Sequence, residues 1–415
     1  MSAAARTDNA PAAASDALDK LIALVATDME AVNATIVERM ASDVPMIPAL
    51  AGHLIQSGGK RLRPILTLAA AGLCNYAGRD HIRLATAVEF IHTATLLHDD
   101  VVDNSALRRG RKTAHMIWGN PASVLVGDFL YSRSFQLMVE TGSVAILGVL
   151  ANASAIIAEG EVMQLAAAKN LETTEDTYLK VIESKTAALF AAAAEVGAMA
   201  AGADAAKVKA LADYGRAIGV AFQLVDDALD YAASADTIGK NAGDDFREGK
   251  ITLPVILAFA RGASDERAFW TRVIADDKQR PEDFDAAVDL IKLRDAIEDT
   301  LARAQSYALG RMRQPHAAAL AAHRLDPAGE AELVRHLHQV RFGDVVGARD
   351  LGDGAQPIRA LRHVHQQAQR VVGHQGQPHV ALPVSMIPVR GVARPAICAL
   401  AVKSRHRTTT ARGSP

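Results

Sequence analysis

Cysteine is nearly missing from this 415-residue chain, whose only two are Cys74 and Cys398. Two cysteines supply neither a disulfide framework nor zinc-type spacing, and they fit a reducing, cytoplasmic compartment. No secretory route is indicated. Residues 1–17 are rich in alanine but have no basic segment followed by an apolar core, and they read as a disordered tail. No stretch reads as a transmembrane segment: Ala187 to Ala203, the longest mildly apolar run, is interrupted by Glu195 and is too short to span a bilayer. Alternating strand patterns are almost absent, which argues against a β architecture.

Charge is missing unevenly. The net charge of −2 conceals 30 Lys and Arg against 41 Asp and Glu in residues 1–310, and 15 against 6 in residues 311–415. That last segment has one lysine, Lys403, and no acidic residue after Asp353, yet it carries nine of the 14 histidines. Basic tails that bind nucleic acid are usually lysine-rich, so no nucleic-acid partner is expected. A shifted reading frame in GC-rich coding DNA accounts for the Arg, His, Gln and Pro of residues 311–415 more economically than an evolved domain.

Half of the chain is hydrophobic, enough to bury a large core. From residue 18 to 310 apolar residues recur at three and four with short punctuation between them, which predicts an all-α fold, a single large helical bundle. Several predicted helices, including 80–103 and 204–232, are apolar on more than one face, as expected of helices surrounded by others.

Within that apolar background stand two copies of one acidic motif, Asp99-Asp100-Val-Val-Asp103 and Asp226-Asp227-Ala-Leu-Asp230. Residues four apart on a helix lie about 40° apart around its axis, so each motif presents clustered carboxylates on one face. Like charges one turn apart repel, and a divalent cation is the usual remedy. Carboxylate oxygens suit Mg²⁺, which prefers to share its coordination shell with a substrate's phosphates. A single copy of the motif is as readily a solvated helix face; two copies flanked by Leu, Val and Ile point to a metal-held diphosphate.

A diphosphate also needs cations from the protein, and three basic clusters supply them: Lys60, Arg61 and Arg63 after Gly58-Gly59, then Arg108-Arg109-Gly110, then the run from Gly239 to Pro254 with Lys240 and Lys250. Glycine beside a basic residue lets backbone and side chain close around phosphate oxygens.

Taken in order, GGKRLRP at 58–64, LLHDDVVD at 96–103, RRG at 108–110, Lys185-Thr186, FQLVDDALD at 222–230 and GKNAGDDFREGKITLP at 239–254 resemble the trans-polyprenyl diphosphate synthases. The likeness covers roughly residues 20–310 and implies the isoprenoid synthase class I fold. It also implies head-to-tail condensation of isopentenyl diphosphate with an allylic diphosphate such as farnesyl diphosphate. Asp99, Asp100, Asp103, Asp226, Asp227 and Asp230 would hold Mg²⁺. Arg108, Lys185, Lys240 and Gln223 would bind the allylic diphosphate, with Lys250 in the loop that folds over it and Thr186 beside the reacting carbons. Lys60, Arg63, His92 and Arg109 would bind isopentenyl diphosphate; His98 receives no role. Asp99, Asp103, Lys185, Thr186, Asp226 and Lys240 form the expected catalytic set, and a homodimer is implied.

The growing chain would run into the bundle below Asp99, and the family uses bulky aromatics at the fourth and fifth positions before that residue to stop growth early. Here those positions are Thr95 and Ala94, which implies a long product, octaprenyl to decaprenyl, suited to a respiratory quinone side chain. Three rivals stand beside this reading: a class I terpene cyclase, against which GGKRLRP and His92 count; a non-catalytic subunit of a heteromeric synthase, against which two complete acidic motifs count; and a catalytic core impaired by its tail.

Overall fold

The computed structural model describes residues 21–56, 61–108, 110–232 and 243–320. The expected tail at 1–17, most of the basic segment 311–415, and Lys60, Arg109 and Lys240 lie outside the described residues. The helices are α1 (Ala26–Arg39), α2 (Met46–Gln56), α3 (Leu62–Leu73) and α4 (Asp80–Val102). A two-stranded hairpin follows, β1 (Leu107–Arg108) and β2 (Arg111–Lys112). Then come α5 (Ala114–Trp118), α6 (Asn120–Glu140), α7 (Val144–Ala167), α8 (Glu175–Ile182), a π-helical turn at Glu183–Ala187, α9 (Ala188–Ala200) and α10 (Ala205–Ala232). The last elements are α11 (Asp244–Arg247), α12 (Leu253–Arg261), α13 (Ser264–Trp270), a second π-helical turn at Thr271–Ala275, α14 (Asp283–Leu293) and α15 (Ala296–Leu320).

Local chemistry explains many of these boundaries. Ser143 caps α7 by accepting from the Ile146 N–H at 3.3 Å, and Thr174 caps α8 by accepting from Thr177 at 3.2 Å. Pro121 and Pro254 stand in the first turns of α6 and α12, where a missing N–H is harmless.

The bundle is built around α4, α9 and α10. Helix α4 buries Leu84, Val88, Phe90, Ile91 and Leu97 together, on several faces, and it packs on both α3 and α6. Helix α9 is alanine-rich and buried almost throughout. Its small side chains let α3 and α10 approach closely on two sides: a Cβ at Gly215 of α10 would come within 2.4 Å of the Phe190 carbonyl oxygen. The two acidic motifs are thereby delivered at the C-terminal ends of two core helices.

The structure departs from the expected elements in identifiable places. The apolar period predicts one helix near 281–309, but two form, because Asp295 takes a left-handed φ of 52° between α14 and α15; no Gly or Pro announces the break. Helix α15 runs on to Leu320. The hairpin, α5 and α11 were not foreseen, being too short to carry a hydrophobic period. Among the described residues one helix, α7, is long and apolar enough to cross a membrane by length and composition, with mean hydropathy 1.5 in its most apolar window. The run singled out from sequence, 187–203, instead falls mainly on the buried α9. One face of α7, with Ile146, Leu150, Ala153 and Ile157, is buried, whereas Val144, Val162 and Leu165 are exposed.

Candidate active site

The first motif occupies the last turn of α4. Asp99 and Asp103 are one turn apart, and the Asp103 N–H donates to the Asp99 carbonyl at 2.8 Å. Asp99 has no side-chain hydrogen bond among the described residues. Burial pushes its carboxyl up to about 7; the Lys185 ammonium opposes the shift, and Glu161 and Asp103 add to it. Asp100 points inward and is fully buried, and the hairpin turns the chain back so that Arg108 donates from Nε to its Oδ1 at 2.8 Å. Its Oδ2 is buried without a partner among the described residues.

The second motif sits at the end of α10. Asp230 accepts from the backbone N–H groups of Gly243 at 3.2 Å and Asp245 at 3.1 Å, which anchors the start of α11 beside the motif. Asp227 is buried and accepts from Tyr178 Oη at 2.5 Å and from Gln223 Nε2 at 2.7 Å. Burial and the neighbouring Asp245 push its carboxyl up, and those two hydrogen bonds act against the shift. Thr186 Oγ1 donates to Gln223 Oε1 at 2.8 Å.

Lys185 and Thr186 both lie in the first π-helical turn, an irregularity common at functional sites. Gly160 of α7 makes room for it, since a Cβ there would lie 2.7 Å from the Lys185 backbone nitrogen. The neighbouring Glu161 accepts from Lys185 Nζ at 2.7 Å.

Lys250 links the first motif to the segment that follows the second. Its Nζ lies 3.1 Å from Asp103, 2.5 Å from Glu248 and 3.9 Å from Asp245. Burial alone would lower its pKa, but these carboxylates outweigh it and raise the pKa well above the usual lysine value. Ser105 donates to Glu248 at 3.1 Å, so the loops that follow the two motifs also meet directly.

The basic turn is described from Arg61 onward. Arg61 adopts a left-handed φ of 49° at the start of α3 and pairs with Glu89 of α4. Arg63 lies over the Phe190 ring at 4.3 Å, and burial lowers its pKa to about 10 with Glu89 opposing. His92 is on α4, two turns before Asp99, with its carbonyl accepting from Thr95 Oγ1 at 2.8 Å. Ala94 is wholly buried. His98 is turned toward α6, its Nε2 3.2 Å from the Val124 carbonyl oxygen and 3.4 Å from Asp128.

The structure thus brings together Asp99, Asp103, Lys185 and Lys250 on one side and Thr186, Gln223, Asp226, Asp227 and Asp230 on the other. Sequence reasoning passed over Tyr178, Glu161, Asp245 and Glu248. The last two stand inside the quoted 239–254 motif, but Tyr178 carries no signal beyond being an aromatic in an amphipathic helix.

A divalent cation fits this donor set. The first motif holds carboxylate oxygens that the protein leaves unsatisfied, on Asp99 and at Asp100 Oδ2. Among the described residues no group of three His, Cys, Asp or Glu side chains closes on one point. Sparse protein ligation of that kind suits an ion that completes its shell with water and substrate phosphate.

Residues 44–291 match the Polyprenyl synthetase family model. The octaprenyl diphosphate synthase of Escherichia coli strain K12 is 50 % identical over 249 residues, 60 % of this chain and 77 % of that protein. A crystal structure of a polyprenyl synthase from Caulobacter crescentus CB15, complexed with calcium and isoprenyl diphosphate, is 53 % identical with a TM-score of 0.72, covering 78 % of this chain and 96 % of that one. That of a decaprenyl diphosphate synthase from Rhodobacter capsulatus is 54 % identical with a TM-score of 0.70, covering 78 % and 98 %. The ordered motifs, the all-helical bundle and these likenesses agree: the chain is a prenyltransferase and belongs to the polyprenyl synthetase family, the trans-polyprenyl diphosphate synthases.

Proposed function

We propose that this enzyme condenses isopentenyl diphosphate head to tail with an allylic diphosphate, farnesyl diphosphate or a close homologue, and repeats the step to a long all-trans product of octaprenyl to decaprenyl length. The observation that carries the reading is that Lys250 joins Asp103 of the first motif to Asp245, whose backbone N–H donates to Asp230 of the second, with Lys185 near Asp99. Asp99, Asp103 and Asp226, supported by Asp230, would hold Mg²⁺. Asp100 and Asp227 were grouped with these from sequence, but each is buried and bonded to protein, Asp100 to Arg108 and Asp227 to Tyr178 and Gln223. Their part in metal binding is therefore mainly to orient the motifs.

Mg²⁺, when bound, supplies the Lewis-acid charge that makes the allylic diphosphate a leaving group. Arg108, Lys185, Lys240 and Lys250 neutralise the departing oxygens, and Lys60, Arg63, His92 and Arg109 hold isopentenyl diphosphate. The allylic C–O bond breaks, and the double bond of isopentenyl diphosphate attacks the resulting cation to form the new C–C bond. A proton then leaves to the departing diphosphate, so no side chain need act as base. Gln223 joins the groups that bind the allylic diphosphate, and Thr186 faces the reacting carbons with oxygen lone pairs.

Ala94 and Thr95 below Asp99 leave depth for the growing chain, and the relatives named for octaprenyl and decaprenyl products support a long one. Exposed apolar side chains on α6 and α7, among them Leu125, Val139, Val162 and Leu165, support a homodimer. The product suits a quinone side chain, and the enzyme is placed in the cytoplasm. Incubation with farnesyl diphosphate, labelled isopentenyl diphosphate and Mg²⁺ tests the reading. Long-chain product that disappears with EDTA is expected; metal-independent turnover, or a cyclised product, overturns it.

A further inference from the structure

A relay of hydrogen bonds links a residue outside every motif to the Thr186 hydroxyl. It runs from Tyr178 Oη to Asp227 at 2.5 Å, from Gln223 Nε2 to Asp227 at 2.7 Å, and from Thr186 Oγ1 to Gln223 Oε1 at 2.8 Å. Donor and acceptor roles fix its direction. When Asp227 is ionised its oxygens only accept, so the Gln223 amide nitrogen faces Asp227 and its oxygen is left for Thr186, whose hydroxyl then donates. With its hydrogen committed, Thr186 has only lone pairs to turn toward a developing cation. Tyr178 and Asp227 are each 4 % exposed, so water is poorly placed to replace either partner.

We propose that Tyr178 is a positioning residue for the condensation, acting through Asp227 and Gln223 to hold the Thr186 hydroxyl with its lone pairs toward the allylic carbons. The inference rests on the reading of Thr186 given above. Without the Tyr178 hydroxyl, Asp227 loses one of its two side-chain donors, and the carboxylate can rotate. Gln223 then loses the partner that decides which end of its amide faces Thr186. Tyr178 sits on α8, one turn before the π-helical turn that carries Thr186, and its ring packing and its hydroxyl can be separated by a single oxygen deletion.

The test uses the full chain with Y178F, T186V, T186S and the double variants. Y178F should lower kcat roughly tenfold, the loss of one hydrogen bond to a charged group, with KM for isopentenyl diphosphate changed less than about twofold. In the T186V background the Y178F change should have no further effect on kcat, whereas in T186S, which keeps the hydroxyl, the loss should persist. Calorimetric affinity for Mg²⁺ with a non-ionising thiolo analogue of farnesyl diphosphate should be unchanged by Y178F. An equal, additive loss in T186V, or weakened binding of the metal and analogue, overturns the proposal and assigns Tyr178 to packing or to metal binding. Failure of the underlying reading looks different: the unaltered chain would form no condensation product, or T186V alone would leave kcat intact.

Discussion

Arg108 reaches back eight residues across the hairpin to Asp100, placing Nε and Nη2 2.8 and 2.7 Å from the same carboxylate oxygen. The carboxylate is fully buried and the arginine partly exposed. An ion pair of this kind adds little over apolar packing, but removing one partner leaves an uncompensated charge inside the protein. R108A should therefore destabilise the fold by about 3–5 kcal/mol, while D100N, which removes the charge that needs pairing, should cost less. Urea denaturation of both variants checks the order. A larger loss in D100N would mean that the hairpin, rather than the acidic motif, depends on the contact.

Ala94 is wholly buried on α4, one turn below Asp99, among Phe90, Ile91 and Leu97. A94F should place a ring across the path of the growing chain and shorten the main product by several isoprene units, with consumption of the first isopentenyl diphosphate retained. Overpacking is expected to cost about 1–3 kcal/mol, so thermal melting should accompany the product assay. Unchanged product length from a folded variant would remove Ala94 from the tunnel floor.

Arg272 grips Asp283 with two bonds of 2.8 and 2.7 Å, and the Arg280 N–H adds a third at 2.7 Å. The Arg272 bonds hold the Asp283 carboxyl below the ordinary value of 3.8, against the opposing effect of burial. A carboxylate depressed in the folded state stabilises the protein above its unfolded pKa, and that contribution is lost as pH falls through the folded value. The stability difference between the unaltered chain and D283N should be constant from about pH 5 to 8 and shrink below about pH 4. Denaturation midpoints measured across that range test it; a gap that widens in acid would contradict the sign.

What the sequence made legible was whatever repeats locally. The helical period and the four-residue spacing of Asp99 and Asp103 are short-range properties, so the bundle and the acidic faces could be read directly. Partners distant along the chain could not. Tyr178 meets Asp227 across 49 residues and Ser105 meets Glu248 across 143, and neither pairing leaves a trace in composition or period. The separation of roles within each motif was equally hidden. Nothing in DDVVD or DDALD shows that the middle aspartate turns inward, because that depends on Arg108 and Tyr178 arriving from other elements. The boundary between α14 and α15 escaped for a simpler reason, since an aspartate rather than a glycine takes the left-handed turn at residue 295.

Gly160 offers the sharpest test of how packing controls the chemistry. It lies on α7 opposite the π-helical turn, where a new Cβ would stand 2.7 Å from the Lys185 nitrogen and 2.8 Å from the Ser184 Cβ. The first of these neighbours is backbone, so a rotamer change cannot relieve the clash. G160A would have to push α7 and the turn apart, moving Lys185 away from Glu161 and Thr186 away from Gln223 at once. The expected destabilisation is about 1–3 kcal/mol, small enough to leave a folded protein for kinetics. Displacement of positioned groups by as little as 1 Å can cost about a hundredfold in rate, so kcat should fall far more than stability does. A G160A enzyme with near-normal kcat would show that the turn tolerates displacement, and that the close approach of α7 serves packing alone.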